Sequence, residues 1–183
     1  MTRALTRFFL SRIVTRSDAG NEVPLSPIDV PAPKDERRFE DYVPGMVCEY
    51  GAIAVSEADI VDFARQFDPQ PIHTDRMAAE RGPYGGLIAS GWHTVTVMMR
   101  LLVAQFLPGS ASLGSPGIDE LRWRRPVRPG DILRIRVEIL DARRSRSKPD
   151  RGLVHTLVEV LNQKDEVVMS LKAMNLMRCG GGA

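Results

Sequence analysis

Residues 89–107 read Ala-Ser-Gly-Trp-His-Thr-Val-Thr-Val-Met-Met-Arg-Leu-Leu-Val-Ala-Gln-Phe-Leu, and this stretch decides the fold. It contains no glycine or proline except Gly91 near its start, and Pro108-Gly109 stops it. Val95, Met98, Met99, Leu102 and Phe106 recur at i, i+3, i+4, i+7 and i+11, which predicts one long helix with a single buried face. Met98 and Met99 are then core residues. Downstream the period changes from helical to alternating. Leu133, Ile135, Val137 and Ile139 alternate with Arg134, Arg136 and Glu138, the pattern of a half-buried strand. Apolar runs at 153–161 and 167–177 flank the polar turn 162–166, and Ile118–Trp123 adds a strand that ends at the Pro126…Pro129-Gly130 turn.

Upstream, residues 46–55 read as a first strand. Ser56-Glu-Ala-Asp59 resembles a capping box, and Ile60, Phe63, Ala64 and Phe67 follow at helical spacing. The expectation is a helix over 57–66 with those four residues buried. Residues 68–86 carry Pro69, Pro71, Pro83 and three glycines and read as irregular. The order is strand, helix, irregular segment, long helix and four antiparallel strands. One long helix wrapped by a single antiparallel sheet is an α+β arrangement.

At 183 residues, 43% apolar and 26% charged, the chain suits one well-filled core. Residues 1–17 hold Arg3, Arg7, Arg12 and Arg16 and no acid. Removing those four from the 25 Lys and Arg leaves 21 against 23 acidic residues, so the basic character belongs to the tail. That gives the body no nucleic-acid signature. The tail has the composition of an organelle transit peptide, but one such segment is a weak signal and it reads as a frayed or partner-docked N-terminal arm. Its apolar run is too short and too charged to span a membrane. Cys48 and Cys179 show no CxxC spacing, which excludes a zinc knuckle or disulfide scaffold and suits a reducing, cytoplasmic compartment. Residues 20–36, with four prolines, read as a linker. The expected organisation is an arm and linker at 1–38, a domain at 39–178 and a Gly-rich tail at 179–183.

Two segments are candidates for chemistry. In Phe67-Asp-Pro-Gln-Pro-Ile-His73, two prolines restrict the backbone around Asp68 and His73. A carboxylate beside an imidazole can hold one water between them, one group taking a proton while the other donates. By itself, such a pair on a loop is more often structural. In Gly85-Gly-Leu-Ile-Ala-Ser-Gly-Trp-His93, the amides that start the long helix are unpaired and carry the positive end of its dipole. The Gly91 N–H can receive a developing oxyanion. Equally, Gly91 can serve close packing alone.

Taken together, Phe-Asp-Pro-Gln-Pro-Ile-His, the Gly-Gly-Leu-Ile-Ala-Ser-Gly helix start and the Arg-Pro-Val-Arg-Pro-Gly-Asp turn at 125–131 resemble the MaoC-like hydratase/dehydratase family, which includes (R)-specific enoyl-CoA hydratases. The resemblance covers roughly residues 39–177. It implies a hot-dog fold and a homodimer or higher homo-oligomer, with an acyl-CoA pocket where two protomers meet. It also implies a hydro-lyase that adds water reversibly across a 2-enoyl-CoA thioester, without a resident cofactor. Asp68 and His73 would activate the water, and the Gly91 N–H would polarise the thioester carbonyl. Gln70 stands where the family usually has Asn, and Ser90 where it often has His; both are carried as substrate-binding candidates. A thioesterase on the same fold and a non-catalytic acyl-thioester binding subunit are the alternatives.

His93 reads as a packed or interface histidine that can also line an acyl tunnel, and His155 as structural. Arg143, Arg144, Arg146, Lys148 and Arg151 in the hairpin tip at 141–152 read as a solvated loop, or as a contact for CoA phosphates. Arg122, Arg124, Arg125 and Arg128 compete for that second role.

Overall fold

A computed structural model describes residues 32–181. The expected arm at 1–17 and most of the Pro-rich segment lie outside the described residues. Strand β1 (Val47–Ala54) is followed by helices α1 (Glu57–Phe67), α2 (Pro71–Thr74), α3 (Arg76–Arg81) and α4 (Gly91–Leu101). Strands β2 (Gly117–Trp123), β3 (Ile132–Arg144), β4 (Arg151–Leu161) and β5 (Val167–Arg178) complete the domain. The five strands form one antiparallel sheet in the order β1-β3-β4-β5-β2. Helix α4 lies against its apolar face, so the expected hot-dog arrangement is observed.

Side-chain alternation explains the face. Leu133, Ile135, Val137 and Ile139 on β3 are fully buried, as are Val154 and Val160 on β4 and Met169 on β5. On the opposite face Arg136 grips Glu159 through Nε at 2.9 Å and Nη2 at 2.7 Å, and Glu49 lies beside them. A cross-strand row of alternating charge is thus laid over the outer surface. Packing also reaches N-terminal to Phe39. The buried Arg37 donates to the carbonyls of Gln105 and Phe106 at 3.1 and 3.3 Å, at the C-terminal end of the central helix where a cation is favoured.

Four expectations need correction. Met99 is 45% exposed; the buried residues of α4 are His93, Thr94, Val97, Met98 and Leu101. Phe106 is still fully buried, because the helix closes with a π turn over Leu102–Phe106, in which the Leu107 N–H reaches the Leu102 carbonyl at 2.8 Å. The turn's extra residue shifts the phase, so Phe106 rather than Gln105 enters the core. Phe67, the last residue of α1, is 63% exposed and packs on Phe63 at 4.9 Å instead of entering the core. The segment 68–86 is not irregular throughout. Pro71 occupies the first position of α2, where a missing N–H costs nothing, and the Asp75 carboxylate caps α3 by accepting from the Ala78 N–H at 3.0 Å. Finally, β3 and β4 extend into the expected tip, leaving only 145–150 between them.

Candidate active site

Asp68 sits at the end of α1, where its N–H still bonds the Ala64 carbonyl at 2.8 Å. Pro69 forbids its preceding residue a helical conformation, and Asp68 accordingly has φ −153° and ψ 68°. The chain turns at once into α2, which places His73 one turn further on. The segment 87–90 then runs beside α2: Ile88 N–H bonds the Ile72 carbonyl at 3.3 Å, and Ala89 N–H the Val127 carbonyl at 2.8 Å. Ser90 ends this segment as the N-cap of α4, accepting from the Trp92 N–H at 3.3 Å.

These connections bring the predicted residues together. His73 Nε2 lies 3.4 Å from Asp68 Oδ2. His73 Nδ1 lies 2.8 Å from the Ile88 carbonyl, and since a carbonyl can only accept, Nδ1 carries the proton in the neutral ring. The Nε2 lone pair is thereby turned toward the carboxylate. Asp68 is held on both oxygens: Ser90 Oγ donates to Oδ2 at 2.6 Å and Gln70 Nε2 donates to Oδ1 at 2.7 Å. The Ser90 hydroxyl above all, then the Gln70 amide, holds the Asp68 carboxyl below its ordinary range, with His73 adding to this. Asp68 therefore stays ionised at any pH near neutrality.

Asp68, His73, Gln70, Ser90 and Gly91 all border one pocket of about 400 Å³. Gly91 is the first residue of α4, where no intrahelical acceptor exists for its N–H. The space a Cβ would take is occupied by the Trp123 indole, whose nearest atom would lie 2.4 Å away, so any side chain here must displace the ring. A profile of the MaoC-like domain family matches residues 40–161. The chain belongs to the MaoC-like family. It is 30% identical over 128 residues to the uncharacterized protein YdeM of Bacillus subtilis, covering 70% of this chain and 89% of that protein. It is 36% identical over 105 residues to a 3-hydroxybutyryl-CoA dehydratase of Methylorubrum extorquens, covering 56% of this chain and 64% of that protein. Among solved structures it resembles a MaoC-like dehydratase from Rhodospirillum rubrum, with 39% identity, a TM-score of 0.75, and coverage of 80% of this chain and 99% of that one.

In this MaoC-like domain Ser90 and Gln70 both point at Asp68, contacts that residue type alone did not specify. The Ile88 carbonyl and the walls formed by Trp92 and Trp123 were also absent from the sequence reading. The two indoles meet edge to face at 5.6 Å. His93 does not border the pocket; it is 7% exposed and stacks on Phe63 at 4.8 Å. His155 lies on β4, paired opposite Met174, and is not part of the site.

Proposed function

We propose that the pocket hydrates a 2-enoyl-CoA thioester reversibly to a 3-hydroxyacyl-CoA. The observation that carries this reading is the 3.4 Å approach of Asp68 Oδ2 to His73 Nε2 beside the Gly91 amide. Both atoms present lone pairs, so one water can donate a hydrogen to each. Asp68, depressed by Ser90 and Gln70, is the poorer base and stays an acceptor. His73 Nε2 takes a proton as the water oxygen bonds to the β-carbon. Electrons of the double bond move onto the thioester oxygen, where the Gly91 N–H meets the negative charge without a change of geometry. The imidazolium is stabilised by the adjacent carboxylate and returns its proton to the α-carbon, so both hydrogens of the water are retained in the product. The sequence of steps calls on no resident cofactor.

The likeness to a named 3-hydroxybutyryl-CoA dehydratase supports a hydro-lyase acting on acyl-CoA. A second copy of the chain is the natural partner. Trp92, Met99 and Val103 form an exposed stripe along α4, and β2, with exposed Ile118 and Trp123, has a neighbouring strand on one side only. An apolar stripe beside an open sheet edge is the surface of an isologous dimer. Among the described residues no helix is long and apolar enough to cross a membrane.

The test is to follow the conjugated-thioester absorbance of 2-enoyl-CoAs of several chain lengths beside a thiol reagent. Loss of absorbance without thiol release supports hydration. Thiol release identifies a thioesterase, and binding without turnover identifies a non-catalytic subunit.

A further inference from the structure

We propose that a second, polar pocket on the outer face of the sheet receives the phosphates of the substrate's CoA, with Arg122 and Arg124 as their ligands; this rests on the acyl-CoA reading above. The pocket, of about 510 Å³, is bordered by Glu120, Arg122, Trp123, Arg124, Ser170 and Lys172. Its geometry follows from an irregularity in β2. Asp119 pairs with Lys172 but Arg122 with Ser170, so β2 carries one extra residue, and Glu120 has φ +53°. The bulge sets Arg122 opposite Ser170, in the same cross-strand row as Glu159 and Arg136.

The charges here are unbalanced in a particular way. Glu120 is taken by Lys172 at 2.9 Å, and Glu159 by Arg136. Arg122 bonds the Leu121 carbonyl at 2.9 Å and Arg124 bonds Ser170 Oγ at 3.1 Å, both neutral acceptors. Among the described residues neither guanidinium makes an ion pair. Of the competing cations, Arg143 is matched by Asp141 at 2.6 Å, Arg144 by Glu40 at 2.5 Å, Arg151 by Asp150 at 2.8 Å and Arg125 by Glu166 at 3.4 Å, while Arg128, which donates to the Tyr84 carbonyl at 2.6 Å, Arg146 and Lys148 do not border this pocket. Guanidinium forks fit phosphate oxygens, and two unmatched forks at one pocket invite a multiply charged anion.

Position ties this pocket to the catalytic one. Trp123 and Arg124 border both, so the end of β2 separates them. A substrate with its thioester at Gly91 and a long phosphate-bearing arm passes over Trp123 onto the outer face without entering the core.

The test compares wild type with Arg122→Glu and the milder Arg122→Gln on 2-enoyl thioesters of CoA, 4′-phosphopantetheine and pantetheine. Arg122→Glu is expected to raise KM for the CoA thioester by about tenfold or more, and KM for the pantetheine thioester by less than about twofold. Arg143→Glu, a reversal of equal charge elsewhere, is expected to leave the ratio of the two KM values unchanged. An effect shared by the phosphopantetheine thioester assigns the site to the phosphate that CoA has in common with a carrier protein's arm. An effect on CoA alone assigns it to the nucleotide end. Equal factors on all three thioesters, or an equal rise from Arg143→Glu, overturn the assignment. If wild type turns over none of them, the hydration reading falls, and calorimetric titration of CoA alone decides the subsite. Weaker CoA binding by Arg122→Glu then upholds it; equal binding, or none by wild type, overturns it.

Discussion

Asp68 is fixed by neighbours of three kinds: a hydroxyl from the start of α4, an amide two residues on, and an imidazole one turn further. The Ser90 hydroxyl is the largest influence keeping its carboxyl ionised, so Ser90→Ala should raise the Asp68 pKa toward the ordinary 3.8. The titration of the Asp68 carboxyl, followed by NMR, is expected to move to higher pH in Ser90→Ala and to return in Ser90→Thr; an unmoved titration would show that Ser90 acts only as a cap. Gly91→Ala forces a methyl into the Trp123 ring, and thermal unfolding should register it as a loss of about 1–3 kcal/mol. A midpoint unchanged from wild type would mean that the indole swings away freely. At this scale, prolines mark the loop of Asp68 and His73 in the sequence, but it is the resemblance to the MaoC-like family that gives the pair a role. Ser90 was visible as a residue type, but its partner lies 22 positions away. The Ile88 carbonyl that orients His73 belongs to the backbone, which carries no residue-specific signal.

Helix α4 shows what periodicity can and cannot convey. Its existence and its start were plain from composition, whereas the π turn that buries Phe106 was not, since nothing in Leu102–Phe106 announces a wider turn. Met99 belongs to an apolar row next to the buried one that holds Met98, and periodicity alone does not tell the two rows apart. The same helix carries His93, buried against Phe63, and burial pushes its pKa below the ordinary 6.5, with Asp59 opposing weakly. The sign follows directly. The unfolded chain takes up a proton at higher pH than the native imidazole, so stability is full above about pH 6.5 and declines as pH falls toward the native value. Urea midpoints between pH 7.5 and 5 should therefore fall less steeply in His93→Gln than in wild type. Parallel curves would mean that His93 gains a partner on protonation. At the other helix, Ser56→Ala removes the cap on the Asp59 N–H at 3.1 Å and should cost about 1 kcal/mol in denaturant unfolding. A loss near zero would show that solvent replaces the cap.

For the molecule as a whole, strand alternation, capping signals and helix length give a long helix on one antiparallel α+β sheet, and the resemblance to the MaoC-like family makes that arrangement a hot-dog fold. The loop between α1 and α4 was not legible, because its two short helices are set by Pro71 and Asp75 rather than by any repeat. The proposed dimer rests on surface rather than core. Met99→Asp combined with Val103→Asp places charges in the exposed stripe of α4, and light scattering is expected to show wild-type dimers reduced to monomers. A double variant that remains dimeric would move the interface elsewhere. The proposed hydration depends on one shared water between Asp68 and His73, and its most direct test is the rate of 2-enoyl-CoA absorbance loss in wild type, Asp68→Asn and His73→Ala. Each substitution is expected to lower kcat by about 10²–10⁴-fold with the fold intact; rates within a few-fold of wild type for either would contradict it.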